Sequence, residues 1–233
     1  MPHRCSWTEQ SLAAGPQSAP DPSPCMKDPR LVLAMAHQQA GRMEEALALY
    51  DALLNDFPGD PTALHCFGMF CHHMGDDALA SQLIELSISL SPDMPIAHAS
   101  LGIVKASLGD YEGAVECCRR AIVLSPNLVT AHGNLGGFLL ALGQPREAAE
   151  AFRTAIALAP SEATGYCGLG GALFTLGDRN GAEGAFNHAL RLNPDDADAH
   201  RGLGLLKGNP EAGRQAACPA GSPSTASKIA SAQ

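Results

Sequence analysis

Five prolines recur at one fixed interval and constrain the fold more than any other feature of the sequence. Each lies 34 residues from the next: Pro58, Pro92, Pro126, Pro160 and Pro194. Two more columns keep the same period: Gly41, Gly75, Gly109, Gly143 and Gly177, then Ala46, Ala80, Ala114, Ala148 and Ala182. A fixed period of roughly 20 to 50 residues indicates a repeat protein. The sequence therefore predicts five successive units and a sixth, partial one from Ala197.

Each unit carries the pattern of two helices joined by a tight turn. In the fourth unit the apolar residues Leu135, Leu139 and Leu142 share one face of a predicted helix, 132–142. Gly143 is expected to end this helix, and Pro145 to begin a second one that Pro160 stops. Aromatic residues make up only 5% of the chain, which favours an all-α fold over a β-sandwich.

A glycine column lies in the middle of the first helix of most units. Its members are Ala34, Gly68, Gly102, Gly136, Gly170 and Gly204. Glycine inside a helix costs about 1 kcal/mol relative to alanine, so its repetition indicates a steric requirement. We expect the second helix to approach the first here with no side chain between them. Tyr50, Phe152 and Phe186 are expected to fill the space between neighbouring units.

These columns resemble the tetratricopeptide repeat (TPR) over about residues 27–207. The residues that carry the resemblance are Leu101–Gly102, Leu135–Gly136, Leu169–Gly170, Leu203–Gly204, Ala148 with Phe152, Ala182 with Phe186, and the terminal prolines. Four residues, His98, His132, Tyr166 and His200, stand where the family has a large aromatic, and a softer packing between units is expected there. The second unit departs most, with Ile84 and Ser87 in place of the aromatic and the alanine.

The resemblance implies an all-α, right-handed superhelical solenoid of helix-turn-helix repeats. The predicted units are 27–60, 61–94, 95–128, 129–162, 163–196 and a partial capping unit, 197–207. In the family a concave groove, lined mainly by the first helices, holds a peptide or helix of a partner. We therefore expect a non-catalytic scaffold or adaptor that binds another protein. The flanking segments, 1–26 and 208–233, are rich in Pro, Ser, Ala and Gln and are expected to be flexible, or to lie in the groove.

The groove positions that the repeat predicts are neutral. The candidate partner-binding residues are His65, Met69, His72, Ile103, Asn134, Gly137, Leu140, Gly171 and Phe174. TPR domains that grip acidic chaperone C-termini use Lys, Asn and Arg on these faces, so an acidic ligand is disfavoured here. An amphipathic helix or a partly apolar extended segment suits this composition better. The final helix could also mediate self-association if Leu203, Leu205 and Leu206 are left uncovered.

A more specific resemblance concerns the stretch 131–136, which is similar to the repeats of O-linked N-acetylglucosamine transferases. Their grooves display an asparagine in successive repeats at the position of Asn134. Here that column reads Val32, Cys66, Ser100, Asn134, Gly168 and Gly202. Two alternatives to a general adaptor stay open: an accessory domain acting in trans with a glycosyltransferase, or an assembly subunit in envelope or secretion biogenesis.

Catalytic and metal chemistry are not expected. His65, Met69 and His72 share a helix face, but one helix rarely completes a tetrahedral site. Cys117 and Cys118 are adjacent and lack an evident base. We expect no catalytic residue, no metal and no cofactor.

Charge and hydropathy restrict the remaining possibilities. The net charge is −9 and no block of Lys or Arg occurs, so nucleic acid is not an expected partner. No apolar run approaches the roughly 20 residues of a membrane-spanning helix, and residues 1–26 lack the apolar core of a secretory signal. A cytoplasmic location with reduced cysteines is the simplest expectation.

Overall fold

The computed structural model describes residues 28–208. Within that range the chain forms helices and no strand. The helices are α1 Pro29–Gln39, α2 Met43–Asp56, α3 Pro61–His73, α4 Asp77–Leu90, α5 Pro95–Ser107, α6 Tyr111–Leu124, α7 Val129–Ala141, α8 Pro145–Leu158, α9 Ala163–Thr175, α10 Arg179–Leu192 and α11 Ala197–Leu206. Odd-numbered helices are called A helices and even-numbered ones B helices. The prediction of an all-α repeat fold is confirmed, and the predicted flexible segments lie outside the described residues, apart from Gly208.

The turn from A helix to B helix is made by the glycine column. At the end of α7, Gly143 has a φ of 71°, a left-handed conformation that costs glycine little. The backbone N–H of Gly143 donates to the carbonyl oxygen of Leu140, with 3.0 Å between nitrogen and oxygen. The backbone N–H of Gln144 donates to the carbonyl oxygen of Leu139 at 2.8 Å. These bonds satisfy carbonyls that the helix end would otherwise leave unpaired. The predicted stop at Gly143 is confirmed.

Helix α7 begins at Val129, three residues before the predicted start. The first helical turn carries Val129 and Thr130, which are only half-buried and therefore do not extend the periodic apolar face. Helix α8 begins at Pro145 as predicted and ends at Leu158, two residues before Pro160. A helix usually ends before a proline because the ring removes a donor and clashes with the preceding turn.

The chain divides into two compact units, one up to Ser100 and one from Leu101 onward, with the boundary inside α5. In the first unit, Tyr50 on α2 packs against two rings of α3. The ring centroids lie 5.7 Å from Phe67 and 5.4 Å from Phe70. Tyr50 and Phe67 are almost completely buried. Tyr50 therefore fills the space between the first two helix pairs, as predicted.

In the second unit, Phe152 on α8 lies between two A helices. A Cβ added to Gly136 on α7 would stand 2.8 Å from this ring, and one added to Gly168 on α9 would clash with it as well. Phe186 on α10 lies in the same way between Gly170 on α9 and Gly202 on α11. Both phenylalanines fill the space between successive helix pairs, as predicted.

One detail of the glycine column was predicted wrongly. At Gly136 and Gly170 the close neighbour is the edge of a phenylalanine ring rather than the bare backbone of the B helix. At Gly102 the backbone does approach closely, because an added Cβ would stand 3.1 Å from the carbonyl oxygen of Ala114. The column therefore provides room for two different neighbours.

The divergent second repeat reaches the same packing with different residues. A Cβ at Gly68 would stand 2.7 Å from Cγ1 of Ile84, which takes the place of the aromatic ring. Ser87 replaces alanine and is completely buried. Its hydroxyl donates to the carbonyl oxygen of Pro61 at 2.6 Å, so the buried polar group is satisfied.

The histidines that replace the family's aromatic have a structural task that the sequence did not reveal. The Nε2 atoms of His98, His132 and His200 lie 2.9, 2.8 and 2.8 Å from carbonyl oxygens six residues earlier in the chain. Those oxygens belong to Pro92, Pro126 and Pro194. Because a carbonyl only accepts, each Nε2 must carry a proton and donate. The rings thus tie the A helix to the turn that precedes it.

Candidate partner-binding site

The predicted groove residues all lie on A helices and are all half-buried. Helix α3 in the first unit carries His65, Met69 and His72. In the second unit Ile103 is on α5, Asn134, Gly137 and Leu140 are on α7, and Gly171 and Phe174 are on α9.

In the first unit both predicted histidines form hydrogen bonds within the chain. Nε2 of His65 lies 2.9 Å from the hydroxyl oxygen of Ser100. Burial lowers the pKa of His65 to about 4, so this ring is neutral at physiological pH. Nδ1 of His72 lies 2.5 Å from a carboxylate oxygen of Asp77. The two rings therefore stabilise the unit, and a ligand that bound either ring would have to displace its hydrogen bond.

The residues capable of binding metal do not cluster. Among residues 28–208, no group of three His, Cys, Asp or Glu side chains is placed to hold a metal ion. The thiol of Cys118 is completely buried. Burial is the larger cause that raises the pKa of Cys118 to about 12, and the neighbouring Cys117 raises it further. A thiol with so high a pKa is not a thiolate nucleophile at neutral pH.

In the second unit, charge is distributed unequally between A and B helices. Helices α7 and α9 contain no Asp, Glu, Lys or Arg. The B helices carry exposed charges of both signs: Glu112, Glu116, Arg119, Arg120, Arg146, Glu147, Glu150, Arg153, Arg179, Glu183 and Arg191. The accessible parts of α7 and α9 therefore form a neutral surface on a unit whose B helices are highly charged.

Two glycines of α7 leave its backbone accessible on this surface. A Cβ added at Gly133 or Gly137 would have no atom within 4 Å, in contrast to Gly136. On α9, a Cβ at Gly171 would approach only Cδ1 of Leu140, at 3.9 Å. Glycine with open space in front of it allows a ligand to come close to the helix backbone.

Apolar side chains stand beside these glycines. Ile103 and Leu140 are partly exposed and pack against the core formed by α5 to α9. Phe174 packs in the same manner against the cluster that includes Phe186 and Ala199. Their inner parts are fixed by the core while their outer parts remain accessible. The neutral surface of the second unit is defined here as Ile103, Gly133, Gly137, Leu140, Gly171 and Phe174.

Helix α11 carries a charged pair, not predicted from the sequence, at repeat positions that are neutral on α7 and α9. Arg201 forms an ion pair with Asp198. These residues lie 34 positions after Cys167 and Thr164, so the repeat period alone could have identified them. Helix α11 thus places a paired cation and anion at positions that are neutral on α7 and α9.

The column of Asn134 is packed differently in the later repeats. Gly168 and Gly202 occupy this column on α9 and α11, and a Cβ at either would clash with a phenylalanine of the preceding B helix. These positions therefore have no room for an asparagine without rearrangement of Phe152 or Phe186. Asn134 itself is half-buried.

One shallow cavity of about 280 Å³ lies at the turn between α7 and α8. The turn between α7 and α8, from Gly143 to Glu147, lines it together with Leu176. None of the predicted groove residues contributes to it. No helix within residues 28–208 is long and apolar enough to span a bilayer.

Solved structures with the same fold support the helical repeat architecture. The Pseudomonas aeruginosa protein PilF is 16% identical, with a TM-score of 0.69 over 80% of this chain and 86% of PilF. YrrB, described as a TPR protein with an unusual peptide-binding site, is 23% identical, with a TM-score of 0.60 over 77% of this chain and 91% of YrrB. MamA from Desulfovibrio magneticus RS-1 is 25% identical, with a TM-score of 0.58 over 67% of this chain and 89% of MamA.

Sequence comparison identifies the repeats directly. No curated protein matches the chain. Three family models, each described as tetratricopeptide repeat, match residues 27–70, 97–128 and 139–206. Together these matches cover more than half of the sequence. The chain therefore belongs to the tetratricopeptide repeat family.

Proposed function

We propose that this protein is a non-catalytic adaptor that binds a neutral, partly apolar peptide or helix of another protein on its A helices. The observation that carries the proposal is the contrast between charged B helices and the neutral surface of α7 and α9. The cores of protein interfaces are depleted in charged residues and enriched in apolar contacts. A surface of this composition suits an apolar partner segment better than it suits water.

The shape of the surface supports the same ligand class. Gly133 and Gly137 lie four residues apart on one face of α7, with open space in front of both. An extended strand or a helix could approach the backbone there and place apolar side chains against Leu140 and Ile103. Burial of apolar area contributes roughly 25 cal/mol per Å², so a few such contacts supply useful affinity.

One protein of the same fold has a peptide-binding site, which is consistent with this proposal. YrrB is described as having a peptide-binding site, and its likeness to this chain is one of fold. The two alternative roles, in trans with a glycosyltransferase or in envelope or secretion assembly, have no comparable support. The first depends on Asn134, and its column is packed against phenylalanine in the next two repeats.

The test compares one substitution at two sites with equal space. Lysine at Gly137 would project from the neutral surface, and lysine at Gly184 would project from α10, where an added Cβ also meets no atom within 4 Å. Neither change touches the core, so both variants should fold. Proteins captured by the wild type, Gly137→Lys and Gly184→Lys are quantified by mass spectrometry, and the partner's affinity is measured by calorimetry.

We expect Gly184→Lys to retain the partner and Gly137→Lys to weaken it at least about tenfold, which corresponds to about 1.4 kcal/mol. A buried lysine charge without a counter-ion would impose that cost. Equal binding by all three proteins would refute the proposed surface. Equal loss in both variants would assign binding to general charge instead of to α7.

A further inference from the structure

The outer face of α1 is exposed and carries large apolar side chains. Val32 is 66% exposed, Leu33 is 48% exposed and Met35 is 38% exposed. These residues follow one another on a helix whose other face, at Leu31 and Ala34, is buried. Three large apolar side chains on one short helix indicate a surface that another segment covers.

The repeat shows which kind of segment covers this face elsewhere. Phe67 and Phe70 on α3 correspond to Leu33 and Ala36 on α1, 34 residues earlier. Both are almost completely buried, and both contact the ring of Tyr50 on the preceding B helix. The corresponding face of α1 is therefore built to receive an aromatic side chain from a segment that precedes it in the chain.

The second unit repeats the arrangement at the position of Val32. Gly168 and Gly202 occupy that column, and each lies against a phenylalanine of the B helix before it. Within residues 28–208, no B helix precedes α1. The apolar face of α1 thus has no cover in the part of the chain that the structure describes.

A stretch of the chain N-terminal to α1 has suitable residues. Residues 6–9 read Ser-Trp-Thr-Glu, the capping-box pattern of a helix start, and Leu12 follows before Gly15 and Pro16. A full B helix in this register would span 9–22, which Pro16, Pro20 and Pro22 preclude. The usable stretch is therefore the short one from Ser6 to Ala14.

The connection is long enough for this stretch to reach α1. Thirteen residues, 15–27, separate it from Asp28 at the start of the helix. An extended chain spans at most about 3.3–3.6 Å per residue, so thirteen residues exceed the length of α1, roughly 16 Å at 1.5 Å per residue.

We propose that residues 6–14 dock onto the outer face of α1, with Trp7 and Leu12 against Val32, Leu33 and Ala36. The segment takes the place of the missing B helix, and Trp7 takes the part that Tyr50 plays for α3. The inference is independent of the proposed function, because it concerns α1 in the first unit, whereas the neutral surface belongs to the second unit.

Trp7 provides the test, because it is the only tryptophan of the chain. Its fluorescence emission and its quenching by acrylamide are measured in the full chain, in Leu33→Asp, in Val32→Asp and in Val123→Asp. Val123 is 70% exposed on α6 and serves as the matched control. Circular dichroism establishes that each variant keeps its helices.

We expect blue-shifted, weakly quenched emission in the wild type and in Val123→Asp at every protein concentration. Either α1 substitution should shift the emission to the red and raise quenching towards that of the urea-unfolded chain. If Leu33→Asp loses helix, Val32→Asp decides the outcome. Trp7 emission that is solvent-exposed in the wild type, or unchanged by the α1 variants, would overturn the proposal. Burial that disappears on dilution together with a dimer would assign the face to a second copy instead.

Discussion

His65 shows how a single residue couples the first unit to pH. Its ring bonds to the hydroxyl of Ser100 at 2.9 Å, and burial lowers its pKa from 6.5 to about 4. The folded chain therefore binds fewer protons here than the unfolded chain between these two values. The stabilising contribution is complete above pH 6.5 and is lost as pH falls towards 4.

We predict that His65→Gln flattens the pH dependence of stability in this window. Glutamine can still bond to Ser100 but does not titrate. The wild type should lose up to about 3 kcal/mol more than the variant between pH 7 and pH 4, at 1.36 kcal/mol per pKa unit. Urea unfolding at a series of pH values measures the difference. Parallel curves for the two proteins would show that His65 does not titrate as described.

At this scale the sequence was least informative. The residue types at His98, His132 and His200 were visible as replacements, but their bonds to proline carbonyls were not. The six-residue spacing between each histidine and its proline was the available signal. The inward hydrogen bond of His65 had no such signal, because its partner lies 35 residues away.

The packing of α7 on α8 depends on the difference between two adjacent glycines. Gly136 and Gly137 are neighbours on α7 with opposite surroundings. A Cβ at Gly136 meets the ring of Phe152 at 2.8 Å, while one at Gly137 meets nothing within 4 Å. The ring cannot retreat easily, because α9 lies against its other side at Gly168.

We predict that Gly136→Ala and Gly137→Ala change stability in opposite directions. Gly137→Ala should stabilise by up to about 1 kcal/mol through helix propensity. Gly136→Ala should destabilise, because overpacking typically costs about 1–3 kcal/mol and exceeds that gain. Denaturant unfolding of both variants checks the signs. Stabilisation by both substitutions would mean that Phe152 moves aside freely. If the ring is fixed instead, the double variant Gly136→Ala/Phe152→Leu should recover the stability that Gly136→Ala loses.

The end of α7 and both ends of α8 were predicted well because backbone chemistry sets them, whereas the start of α7 was missed by three residues. Gly143 ends α7 through its positive φ, and Pro145 and Pro160 limit α8, and all three are properties of the residue itself. The neighbour of Gly136 was predicted wrongly because a sequence column shows where space is needed and not which atom uses it. Only the packed structure shows that Phe152 lies between two A helices.

At the scale of the whole molecule, repetition separates architecture from recognition. The same columns build every helix pair, so the positions between them can vary without loss of the fold. In the second unit these positions lack charge on α7 and α9 and carry the Asp198–Arg201 pair on α11. The polarity of the surface followed from the sequence, whereas the accessible backbone at Gly133 and Gly137 required the structure.

Site-specific photo-crosslinking determines whether partners bind the neutral surface. A photoreactive amino acid is placed at Ala141, an exposed position on α7, and in a second protein at Val123 on α6. A partner recovered with the wild type should crosslink at position 141 and not at position 123. Crosslinking at position 123 alone, or equally at both positions, would contradict binding at the neutral surface.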